Sequence, residues 1–173
     1  NTVIGKFKIH GYGEDVKVSS LLVKPLVTSG TTASGSTTNL NNITVYFNGS
    51  QVGSSANYDG TATLTFQLGS QMILPAGTDS YIEIRADLQN STSINYTAGT
   101  VSAQLTVGAS NGQGQNSKAT LNFPTSTIVG TSLTIQTRVL AVSKNTGYAN
   151  TSVNPNIANV KAGSFTLQNQ SSS

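Results

Sequence analysis

The feature that most constrains this chain is a two-residue hydrophobic period that recurs along most of its length. In TATLTFQL (61–68), Ala62, Leu64, Phe66 and Leu68 alternate with threonine and glutamine. Ile43, Val45 and Phe47 repeat the pattern, as do Ile82, Ile84, Ala86 and Leu88, and Val101, Ala103, Leu105 and Val107. Successive side chains of an extended strand point to opposite faces, so each such run buries one face and wets the other. No window has helical spacing. Asn48-Gly49, Asp59-Gly60 and Pro75-Ala76-Gly77 supply turn residues between the runs. The apolar parity flips at Ser19-Ser20, which predicts a bulge or a bend between sheets. Pro25 has no N–H to give a ladder, so the later part of that strand is predicted to have an unpaired edge. Eight to ten short strands at this spacing predict an all-β fold, an antiparallel immunoglobulin-like β-sandwich.

Composition narrows the class of function. Only 9% of the residues are charged, against roughly 25% in ordinary soluble domains. Serine and threonine carry the solubility instead, as in many secreted, surface-exposed β proteins, and the expected location is extracellular or on a cell surface. There is no cysteine, which excludes disulfides and thiolate metal sites. The net charge of +3 arises from nine basic residues with no cluster denser than Lys6, Lys8 and Lys17, so nucleic acid is not an expected partner. No apolar run approaches the roughly 18 residues of a membrane-spanning helix, and membrane insertion is not expected. A chain that starts at Asn1 without a signal-like segment reads as a processed form or an excised fragment.

The two ends of the chain echo each other. VIGKFKI (3–9) places Val3, Gly5, Phe7 and Ile9 at the relative positions that Lys161, Gly163, Phe165 and Leu167 hold in KAGSFTL (161–167). Alternation puts Gly5, Phe7 and Ile9 on one face and Lys6 and Lys8 on the other. Two segments of one chain thus suit one slot in a sheet, and the second reads as strand one of a next unit. The implied organisation is a sandwich domain over 1–143, a polar asparagine-rich linker over 144–159 and a terminal strand over 160–173. TSGTTASGSTTN (28–39) and GASNGQGQNSK (108–118) have too few apolar residues to pack and are expected to be mobile surface loops. SLTIQTRVLAV (132–142) is expected to form one long strand.

The order of FKIHGYGEDVKVSSLLV, LNNITVYFNGSQVGSS, LPAGTDSYIEIRADL and TVSAQLTV resembles the tandem immunoglobulin-like repeats of large secreted surface-layer-like bacterial proteins. The resemblance covers nearly the whole chain, rests on packing and turn patterns, and implies a structural or adhesive module with no catalytic residue to carry over. The expected function is therefore a structural subunit or repeat module of an extracellular filament or surface layer. Its partner would be a second copy or a neighbouring repeat, joined head-to-tail through a donated terminal strand that closes an open sheet edge. The alternative is a carbohydrate-binding or adhesion module.

Candidate chemistry is sparse, and neither an enzyme nor a cofactor is expected. Glu83 and Asp87 flank Arg85 on the outward face of one predicted strand, where solvated ion pairs are the natural outcome. Glu14-Asp15 offers two carboxylates toward a calcium ion, which takes six to eight oxygens. His10 is the one histidine, too few nitrogens for zinc and without a G-x-S-x-G serine for hydrolysis. Six sequons make Asn42, Asn48, Asn90, Asn95, Asn150 and Asn169 candidates for N-glycosylation, with glycan shielding exposed strands from sideways association. Lysine-to-asparagine isopeptide bonds would need a lysine and an asparagine buried beside a carboxyl group. Tyr12, Tyr46, Tyr58, Tyr81, Tyr96 and Tyr148 are candidates for a sugar-binding platform or for half-buried packing.

Overall fold

A computed structural model describes residues 1–28, 39–136, 139–145, 152, 156, 158 and 163–170. Every strand pairing in it is antiparallel, and the described residues contain no helix. The strands are β1 (Thr2–His10), β2 (Val16–Thr28), β3 (Leu40–Phe47), β4 (Ser50–Tyr58), β5 (Leu64–Leu74), β6 (Asp79–Asp87) and β7 (Thr100–Thr106). Short pieces follow: β8 (Gly112–Gly114), β9 (Thr120–Leu121), β10 (Ile128–Val129) and β11 (Leu133–Thr134), then β12 (Val139–Lys144) and β13 (Phe165–Gln170). The chain divides into two compact units, residues Asn1–Gln136 and Thr137–Ser173. The first therefore ends at Gln136, where the sequence reading carried the sandwich to 143. The stretch 132–142 is shared out: β11 pairs with β7, whereas β12 pairs with β13.

In the first unit one sheet has the order β1-β6-β3-β4, and the other runs β10-β7-β2-β8-β9 with β11 on β7 and β5 on β2. The period-two residues do what alternation demands. Ile82, Ile84 and Ala86 of β6 and Ala103 of β7 are fully buried, together with Ile43 and Val45 of β3. Asn48 and Gly49 both take positive φ, 47° and 88°, the geometry that lets a two-residue turn follow the strand twist between β3 and β4.

The long strand β2 organises the second sheet. Its pairing with β5 covers Val16–Val23 and shifts register between Val18 and Ser20, the bulge foreshadowed by the parity flip. Among the described residues only β7 continues beside it beyond Val23, so Pro25, opposite Ala103, stands where no described strand pairs with the other edge. β7 and β8 lie end to end along one edge of β2.

Asn111 fills the junction between them, and this corrects the expectation of a mobile loop over 108–118. Its carbonyl accepts the Ser19 N–H at 2.8 Å, and its side-chain amide donates to the Ser20 carbonyl at 2.8 Å and to that of Phe123 at 2.6 Å. Its Oδ1 accepts the Phe123 N–H at 2.8 Å. Glu14 caps the same segment, accepting the N–H groups of Asn116 and Ser117. Polar groups with complete partners hold this segment, which apolar counting does not register. The other loop, 28–39, lies outside the described residues except at its ends, as does most of the stretch 144–159.

Candidate assembly surface

The echo between the chain ends extends to three dimensions. In β1, a Cβ placed on Gly5 would lie 3.2 Å from Cε2 of Phe7. Beside β13, a Cβ placed on Gly163 would lie 3.4 Å from Cε2 of Phe165. In both strands the ring folds back over the glycine two residues earlier, covering backbone that a side chain would otherwise shield.

The surroundings of the two rings differ completely. Phe7 is 7% exposed, sits against Gly130, and Gly5 is pressed so close to β7 that its Cβ would stand 2.7 Å from that of Ala103. Phe165 is 71% exposed, and Leu167, two residues along the same face, is 66% exposed. Val142, opposite Leu167 in the β12–β13 ribbon, is 60% exposed. A two-stranded ribbon alone is marginal in water, and full burial of each such side chain is worth about 1.5–3 kcal/mol. Among its described residues the second unit has a strand of the β1 type without a facing sheet.

Val3 and Ile4 correct one detail of the first strand. The register of β1 on β6 shifts between Val3 and Gly5, so Ile4 takes the fully buried place and Val3 is only partly covered. Phe7 and Gly5 face the core as alternation requires, with Ile9 packed against it. Of the terminal segment, Gly163, Phe165 and Leu167 are described, and Lys161 lies outside the described residues.

Beside β1 runs a groove of about 670 Å³, lined by residues 6–10 of β1 and by Leu105, Phe123, Ile128, Val129 and Gly130 from the opposite sheet and its connections. Ile128 and Val129 are exposed. Sequence reasoning missed it because its walls come from segments far apart in the chain. The outward lysines of β1 are tied across to β6: Lys6 Nζ is 2.9 Å from Glu83, and Lys8 Nζ is 2.7 Å from Asp79, which also takes His10 Nδ1 at 2.8 Å. Arg85 and then Lys6 hold the Glu83 carboxyl below its ordinary range, and Lys8 and His10 do the same for Asp79. Charge is unevenly divided. The chain to Gln136 has six basic and six acidic residues, and the remainder has Arg138, Lys144 and Lys161 with no acid.

The other candidates separate cleanly. Glu14 and Asp15 point to different partners: Glu14 to the 116–117 turn, which lowers its pKa chiefly through the Ser117 hydroxyl, and Asp15 to the Ala76 N–H at 2.8 Å. No group of three potential metal ligands occurs among the described residues. Asn42, Asn48 and Asn95 are exposed. Asn90 is only 4% exposed, and its Oδ1 accepts the N–H groups of Thr92 and Ile94 and the Thr92 hydroxyl, so in the folded chain it is no accessible acceptor for glycan. Asn150 lies outside the described residues, and Asn169 falls in β13. Tyr58 and Tyr96 are buried, the latter donating to the Asn39 carbonyl at 2.7 Å, whereas Arg85 lies 4.0 Å over the Tyr46 ring. Tyr148 also lies outside the described residues. No lysine is among the buried residues, so the setting for an isopeptide bond does not occur among the described ones.

No protein family, curated protein or solved structure matches the chain.

Proposed function

We propose that this chain is a structural subunit or repeat module of an extracellular filament or surface layer, built from immunoglobulin-like units joined head-to-tail. The observation that carries the reading is the exposed face of Phe165, Leu167 and Val142 on a ribbon whose second strand has the local geometry of β1. Such a face is stable when a second layer covers it, and a following copy of the first unit brings the required layer. Contacts between unlike ends of identical units propagate into an open filament when the rotation between them does not close into a ring.

Electron microscopy and sedimentation of the purified chain test the proposal. Ordered filaments, lattices or concentration-dependent oligomers are expected, and they should vanish when the chain is ended at Gln136. Monodisperse monomers at every concentration, with affinity for glycans, would overturn it in favour of an adhesion module.

A further inference from the structure

β1 stands at one end of its sheet, and among the described residues its only partner is β6. In an antiparallel ladder a residue turns its N–H and C=O to the same neighbour, and the next residue turns both the other way. Parity therefore tells which edge of a strand is in use. Gly11, the pair following His10–Asp79, donates its N–H to the Thr78 carbonyl at 3.1 Å. By the same period Gly5, Phe7 and Ile9 address β6, and the backbone groups of Lys6 and Lys8 address the open edge. In the ribbon, Asn145 donates to the Ser164 carbonyl at 3.0 Å, in step with the Lys144–Phe165 register. There Ser164 and Thr166 address β12.

With Gly163 aligned on Gly5 and Phe165 on Phe7, Ser164 and Thr166 fall on Lys6 and Lys8. β12 thus occupies the edge of β13 that corresponds to the open edge of β1, the edge opposite to the one β6 uses. The chain carries, on its second copy of the strand, a view of what belongs beside the first.

We propose that the open edge of β1 is the docking site for β12, residues 139–144, of a second copy of this chain, antiparallel and in the register β12 holds against β13. The proposal rests on the head-to-tail reading and names its contact as a strand exchange, in which β12 leaves β13 for β1 of the next copy. In that register Ser143 lies beside Lys8, Val142 beside Ile9 and Leu140 beside Gly11. Alternation turns Val142 toward the groove walled by Leu105, Phe123, Ile128 and Val129, while Ser143 faces outward with Lys8. Lys6 and Lys8 line the groove's rim while their ammonium groups reach Glu83 and Asp79 on β6. Main-chain hydrogen bonds supply the attachment and the apolar alternate residues its register, as in other strand additions. In a lone chain β13 competes for the same edge of β12, but among the described residues it has no facing sheet of the kind that covers β1.

Cross-linking of the full chain tests this, because the absence of native cysteine makes any thiol product unambiguous. Chains carrying Lys8→Cys are mixed with chains carrying Ser143→Cys under mild oxidation. Directly opposed residues of an antiparallel pair are close enough for a disulfide. A mixed disulfide dimer is expected, and its yield should rise with Thr166→Pro in the Ser143→Cys chain, since that change removes an N–H addressed to β12 and releases the strand. It should be lost when Val142→Cys replaces Ser143→Cys, because a shift of one residue turns the thiol to the other face. Equal yields for both pairs, or no mixed dimer even with Thr166→Pro, would overturn the contact. Filaments that persist in either of those cases would leave the head-to-tail reading standing by another contact. A register-specific dimer without filaments would keep this contact and remove the filament reading.

Discussion

Phe7 and Phe165 are the same residue in the same local setting, one roofed by a second sheet and one bare. Each folds its ring over a glycine two residues before it, on a strand continued by an aliphatic residue at the next inward position. Phe7, at 7% exposure, has its ring against Gly130, whereas Phe165 is 71% exposed. Strand conformation is thus encoded locally, whereas the value of the buried face is conferred by a partner layer.

The sharpest way to break the comparison is to delete both rings. Phe7→Ala is expected to cost the first unit about 3–5 kcal/mol, the range for emptying a core of a phenylalanine. Phe165→Ala should leave that transition within about 0.5 kcal/mol, as for a surface change, while reducing assembly. Denaturant unfolding with sedimentation on the same samples reads both, and equal destabilisation by the two changes would refute the distinction.

A smaller effect is expected from the glycines. Gly5→Ala forces a methyl to 2.7 Å from Ala103 Cβ and should destabilise by about 1–3 kcal/mol, as overpacking does. At Gly163 the nearest atom is 3.4 Å away, on the movable Phe165 ring, and the same substitution should be tolerated. Thermal melts of the two variants discriminate.

The smallest effect is the response to acid. Glu14, Asp59, Asp79, Glu83 and Asp87 all have carboxyl pKa values below the ordinary range, the first two chiefly through hydrogen bonds from hydroxyl and backbone N–H groups and the others chiefly through cationic partners. A group depressed on folding binds protons more weakly in the folded state. Its contribution is therefore complete above its unfolded value, about 4, and drains away as pH falls through the folded one. The first unit's melting temperature should fall modestly below about pH 4, the carboxylates being solvent-facing. The second unit, with no acidic side chain, should show no side-chain carboxyl titration by nuclear magnetic resonance.

Those parts of the fold that follow a two-residue period were readable in advance. The buried faces of β3, β6 and β7, the bulge at Ser19-Ser20 and the unpaired edge at Pro25 all follow from side-chain alternation and a missing N–H. The segment around Asn111 was not, since its order depends on an amide meeting the backbone of Ser20 and Phe123, contacts that no local pattern encodes. The division of residues 132–142 was equally hidden, because both halves have strand character and only pairing separates them. Asn90 satisfies the sequon rule as well as Asn95 does, and burial alone tells them apart. Of the assembly surface, the echo of the two ends was legible, whereas the groove and the choice of edge required hydrogen-bond parity.

Asn111 has a consequence for chemical ageing. It precedes Gly112, and asparagine followed by glycine is the pair at which a flexible chain most readily deamidates, the next backbone nitrogen attacking the side-chain amide carbon. Here that amide is buried and held from both sides, with its nitrogen on two carbonyls and its oxygen on an N–H. Conversion to aspartate would set a carboxylate against the Ser20 and Phe123 carbonyls at the centre of the sheet. The bonds that close the junction of β7 and β8 thereby also slow its decay, and a chain without cysteine gains durability from an amide that is kept from reacting.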